Sequence, residues 1–241
     1  MEYYRQPNNR IQAGFALNAG KLLVQYQTMM APLPAASRYE ATLVICVFQS
    51  LLTNCSELLA SMKKGDKASW NEPLPDISSK WGLQRKFVTR DNFPAPLTYK
   101  RFISHLRNAV SHPTTPSKEP QLPSTGYTTI PGSSGMIETF RFTESPWVYR
   151  GEDFSSYVNK KETTVKRSLD RFNKKYGCHL ECSRNSEGLY RAMQDGQPYR
   201  PIFIAEIPLA GLMNIALELA NYLAQPTQEN WDGRTVRQLV A

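Results

Sequence analysis

The chain is poor in the residues that build metal centres and disulfide scaffolds. Its 241 residues include four cysteines and three histidines. Cys46 and Cys55 stand in an apolar helical run, where cysteine behaves as a small buried hydrophobe. Cys178 and Cys182 bracket His179 in a C-x3-C spacing, with no second Cys/His cluster to complete a tetrahedral site. Neither a metal nor a cofactor is therefore expected, and so few cysteines in so long a chain exclude a stapled secreted scaffold. Long apolar runs are lacking too. The most apolar segment, 41–59, is interrupted by Gln49, Thr53, Asn54, Ser56 and Glu57, too polar for a membrane span. Met1–Arg5 lacks the basic-then-apolar order of a signal peptide, so a cytoplasmic protein with no membrane partner is expected. There is no phosphate-cradling glycine loop, dinucleotide fingerprint or serine nucleophile elbow. Acidic residues are few and scattered, which disfavours paired-acid or two-metal hydrolysis.

Base outweighs acid, with 29 Lys and Arg against 21 Asp and Glu, for a net charge of +8. That balance favours an anionic partner, nucleic acid ahead of a membrane surface. The 41% apolar and 11% aromatic fractions are enough for a real core.

Apolar periodicity predicts long helices at about 10–30, 38–64, 97–112 and 209–224. The first carries Ile11, Phe15, Leu22, Leu23 and Tyr26 as its apolar residues. Ser37 and Glu40 form a capping-box pair at the start of the second. Residues 67–96 read as a loop with a short helix near 80–87, and 112–134 as a long Pro- and Ser/Thr-rich excursion. Strands are predicted at 136–143 and 147–150. Residues 159–175 read as a basic amphipathic helix whose buried stripe is Val165, Leu169 and Phe172, its outer face either solvated or set against phosphates. Gln194–Gln197 is a hairpin signal between strands at 189–193 and 199–207. The expected fold is mainly α: an antiparallel helical bundle forming one domain over 1–241, with 113–207 inserted before the last helix as a loop and a small α/β segment.

Residues 97–113 carry the most distinctive pattern. Tyr99, Phe102, Ile103, Leu106, Ala109 and Val110 recur at three- and four-residue steps and form one apolar stripe. The opposite side holds Lys100, Arg101, Ser104, His105, Arg107, Asn108, Ser111 and His112. Pro113 disfavours the α conformation at the residue before it, so the helix should stop at or before His112. Arg107, Asn108 and His112 then gather at a helix end. Arginine there offers a permanent planar fork of donors to phosphate oxygens. An imidazole can take up or release protons near neutral pH. Together these groups suit metal-free RNA cleavage, in which the 2′-hydroxyl is deprotonated, the phosphorane's charge is stabilised and the 5′-oxygen is protonated. Capping of a helix terminus by basic groups is the plainer alternative.

The string Leu106-Arg-Asn-Ala-Val-Ser-His112 resembles the signature of the HEPN superfamily (higher eukaryotes and prokaryotes nucleotide-binding domains): Arg, often followed by Asn, Asp or His, then four to six residues and His. The apolar helix before it and the closing helix after an insertion are similar as well. The likeness is to bacterial plasmid- and defence-associated toxins. It implies an endoribonuclease with Arg107, Asn108 and His112 as catalytic residues; Lys100, Arg101 and His105, on the basic back of the same helix, are expected as RNA contacts. It also implies a homodimer that joins two Arg–His pairs in one cleft, and an antitoxin such as a nucleotidyltransferase as a further partner. The competing reading is a non-catalytic dimer that binds nucleotide, RNA or a partner protein. A DNA-binding regulator ranks below both, because no helix-turn-helix pair is evident.

Overall fold

A computed structural model describes residues 8–33, 40–54, 67–77, 81–93, 96–111, 123–145, 162–184, 190–199 and 201–224. Helix α1 (Asn8–Met30) packs against α2 (Glu40–Asn54) and against α6 (Leu209–Ala224). The short α3 (Lys67–Asn71) follows α2 in the chain, and a 3-10 turn at Arg85–Phe87 leads into strand β1 (Val88–Asp91). Next comes α4 (Tyr99–Ser111), which packs against α2 and α3. Its first turn is capped by Thr98, whose Oγ1 accepts the Arg101 N–H at 3.3 Å.

A four-stranded antiparallel sheet completes the main core. It contains β1, β2 (Gly126–Pro131), β3 (Ile137–Glu144) and β7 (Phe203–Pro208), in the order β1-β7-β3-β2. Alternation gives it one buried face: Phe140 and Phe142 of β3, and Phe203, Ala205 and Ile207 of β7. Phe140 lies opposite Ile207, and Phe142 opposite Ala205. The outer face is polar, with Arg141 paired to Glu206 across the strands at 2.6 Å. The inner face meets α4 and α6 and shares one continuous core with the helices.

The mainly α bundle is thereby corrected to a mixed α/β fold. The sheet is no appendage before the last helix, because β1 precedes α4 and pairs with β7 more than a hundred residues away. β1 is four residues of Val-Thr-Arg-Asp, too short and too polar to announce a strand, and β2 lies inside the stretch read as a loop excursion. The hairpin is also redrawn. β5 (Tyr190–Gln194) turns at Asp195–Gly196 into β6 (Gln197–Pro198), a strand of only two residues. β7 then joins the other sheet, because prolines at 198 and 201 remove ladder donors between the two.

A second, smaller core belongs to α5 (Glu162–Tyr176) with β4 (Glu181–Arg184), β5 and β6. Val165, Leu169, Phe172, Leu180, Ala192 and Tyr199 build it. Gly177, at φ +65°, ends α5 by donating to the Asn173 carbonyl at 2.8 Å. The Asn173 side chain then holds both the N–H and the carbonyl of Leu180, fixing the run into β4.

α1 buries Ala13, Ala16, Ala19 and Leu23 and leaves Ile11, Phe15 and Leu22 exposed, because small side chains let it lie close to α6. Cys46 is exposed rather than buried. Ser37, Cys55, the strand expected at 147–150 and the end of the second helix beyond Asn54 lie outside the described residues. No described helix is long and apolar enough to cross a membrane.

Candidate functional site

The site is built where α4 crosses the end of β3. All six residues of the expected stripe, from Tyr99 to Val110, are buried, and His105 is buried with them at 4% exposure. His105 was expected on the polar back of the helix as an RNA contact. The sheet, together with the loop after β1, widens the covered arc of α4 and encloses that position. The imidazole stacks on Phe203 (centroids 4.4 Å apart, planes 14° off parallel), and Phe93 lies on it at 4.7 Å. Asn92 ties the two walls together: its backbone N–H donates to the Ile202 carbonyl, and its Oδ1 accepts the Ile202 N–H.

Glu144, the last residue of β3, is 2% exposed, and its carboxylate bridges one turn of α4. Oε2 accepts from His105 Nδ1, and Oε1 accepts from Asn108 Nδ2 at 2.6 Å. Both oxygens of a buried carboxylate are thus paired, as burial requires. The strand end is itself held, because Thr125 Oγ1 accepts the Ser145 N–H at 3.0 Å and donates to its carbonyl. The Glu144 bond fixes which imidazole nitrogen faces the carboxylate. His105 Nε2 is buried and has no hydrogen-bond partner among the described residues.

Glu144 escaped the sequence reading, although a signal was present. Positions 140 and 142 put Phe on the inner face of β3, so position 144 falls in the same phase. A carboxylate at an inward position needs buried donors, and the residues facing it from α4 supply them.

The other expected site residues divide between solvent and scaffold. Arg107 is exposed on α4, and Asn108 is half-buried with its amide directed to Glu144. Lys100 is exposed. Arg101 is partly covered: its Nη1 donates to the Pro96 carbonyl at 2.7 Å, and its guanidinium lies 5.7 Å from the centre of the Phe93 ring. At the far end of α4, Gln49 of α2 donates to the Val110 carbonyl at 3.3 Å, satisfying one of the acceptors a helix end leaves open. His112 lies outside the described residues. Among the described residues, no three of His, Cys, Asp and Glu converge where they would hold a metal ion.

The arrangement can do two things chemically. A rigid carboxylate–imidazole–amide cluster locks the rotation of α4 against the sheet. That lock leaves the Arg107 guanidinium, one residue from the clamped amide, facing solvent as a phosphate-matched donor fork. Comparison of the chain with protein-family models, curated proteins and solved structures found no match.

Proposed function

We propose that this protein is a metal-independent endoribonuclease acting as a homodimer, with Arg107, Asn108 and His112 at the centre of its chemistry. The observation that carries the reading is the clamp of Glu144 on His105 and Asn108. It anchors the motif helix at the residue beside Arg107 while Arg107 itself stays exposed. The mixed α/β fold is not the bundle that the HEPN resemblance implies, so side-chain chemistry alone supports the assignment.

In this mechanism His112 removes the 2′-hydroxyl proton, and the 2′-oxygen attacks the adjacent phosphorus. Arg107 bears on the charge that grows on the phosphorane oxygens. The bond to the 5′-oxygen breaks, and that oxygen takes a proton, leaving a 2′,3′-cyclic phosphate and a free 5′-hydroxyl. One chain brings one Arg107–His112 pair, and a two-fold related copy brings the second imidazole. Asn108 acts through position rather than contact, since its amide is given to Glu144. A toxin or defence role, restrained by a nucleotidyltransferase antitoxin, fits a nuclease of this kind.

The test is RNA cleavage by purified protein in EDTA. Arg107→Ala and His112→Ala should each lower the rate by about 100-fold or more, the usual scale for losing a charge-stabilising donor or an acid–base group. Cleavage that survives both changes refutes the assignment. The second reading, a non-catalytic RNA-binding dimer, is favoured by the same Asn108–Glu144 bond, which takes the asparagine out of substrate contact. It predicts binding without cleavage, indifferent to His112→Ala.

A further inference from the structure

Helix α5 carries five basic and two acidic residues. Val165, Leu169 and Phe172 face the small core. At 100° per residue, Arg167, Arg171 and Lys174 fall on the opposite side, and all three are exposed. Glu162 and Lys166 neutralise one another at 2.6 Å on the flank. Arg167, Arg171 and Lys174 make no ion pair among the described residues. They stand at i, i+4 and i+7, a row about 10 Å long at 1.5 Å rise per residue.

Glu162 is taken by Lys166, and Asp170, three residues after Arg167 and four before Lys174, is the one acid on the outer face. That face carries three cations to one acid, and two of the three cations are arginines, whose forks match phosphate oxygens. We propose that this row on α5 binds the phosphate backbone of single-stranded RNA, a holding surface separate in the fold from the Arg107 end of α4. The choice of RNA as the polyanion rests on the ribonuclease reading; the phosphate contact rests on the row itself. With His105 buried and Arg101 partly engaged by Pro96 and Phe93, α4 offers fewer free cations for that task.

The experiment is salt-dependent binding of a 2′-O-methyl oligoribonucleotide, which cannot be cleaved, by the full chain. Each phosphate contact on a single strand contributes about 0.7 to the slope of log affinity against log salt, so three contribute about 2. The triple variant Arg167→Gln, Arg171→Gln, Lys174→Gln should flatten the slope by that amount. Between about 50 and 200 mM salt, wild type should then lose roughly 20-fold more affinity than the variant. Asp170→Asn, a milder change at an exposed position, should tighten binding and steepen the slope. An unchanged slope in the triple variant, or an Asp170→Asn protein that binds like wild type, overturns the proposal. The two readings fail separately. If Arg107-dependent cleavage persists while the triple variant binds normally, only the α5 surface falls. If the triple variant loses its slope in a protein that never cleaves, only the nuclease falls.

Discussion

Replacing Glu144 separates its two roles, acceptor and buried charge. Glu144→Ala removes both acceptors and leaves the His105 Nδ1 and Asn108 amide donors facing the buried gap that the carboxylate filled. A buried donor stripped of its partner costs about 1–3 kcal/mol, and breaking one side of a buried polar pair about 3–5 kcal/mol, so a loss of about 3–5 kcal/mol is expected. For a chain of this size that lowers Tm by roughly 6–20 °C. Glu144→Gln keeps the shape. Its carbonyl can accept from Asn108, and its amide can donate to Nδ1 once the imidazole proton resides on Nε2. The weaker neutral bonds are offset by relief of carboxylate desolvation, so the expected cost is within about 1 kcal/mol. Urea titration followed by far-UV dichroism, with thermal melts alongside, reads both values. If Glu144→Ala proves as mild as Glu144→Gln, the clamp contributes nothing. If Glu144→Gln proves as damaging as Glu144→Ala, charge rather than paired acceptors holds α4 to β3.

Two further expectations concern the smaller core and the cysteines. Lys166, by hydrogen bond and by charge, holds the Glu162 carboxyl below the ordinary glutamate range. Its contribution is complete above the unfolded-state value and fades as pH falls through the lowered folded one. In a carboxyl-carbon NMR titration, Lys166→Met should raise the Glu162 midpoint, and an unmoved midpoint would show that the pair does not persist in solution. Burial pushes the Cys178 and Cys182 thiols up, so less thiolate is present at neutral pH. Iodoacetamide should therefore label exposed Cys46 before either of them, and peptide-resolved mass spectrometry reporting the reverse order would refute the burial described for that corner.

What could be read from the chain was what repeats locally. The stripe from Tyr99 to Val110 located α4 and its buried side because six apolar residues share one helical phase. Val165, Leu169 and Phe172 did the same for α5, and all three are buried. Pairing between distant strands left no such trace. Val88 meets Ala205 only after the whole intervening chain is placed, and nothing in Val-Thr-Arg-Asp signals it. The helical wheel also errs where a helix is covered on more than one side. It counted His105 as outward because histidine is polar, whereas two phenylalanines and a carboxylate from other elements enclose it. On α1 the apolar residues named the helix but not its buried side: Ile11, Phe15 and Leu22 are exposed, and close approach to α6 selects alanine.

β7 sits between β1 and β3, and Phe203 at its start is the wall on which His105 stacks. Order of synthesis therefore matters. When Ser111 is added to the chain, neither β3, which carries Glu144, nor β7 has been made, and about 90 residues separate Ser111 from Phe203. At the usual pace of translation this is an interval on the order of 5–20 s during which α4 lacks the Phe203 wall. Closure is non-local and late, because the sheet's central strand arrives after both of its neighbours. The site where α4 meets the sheet thus closes only once β7 has been made, however early α4 itself becomes helical.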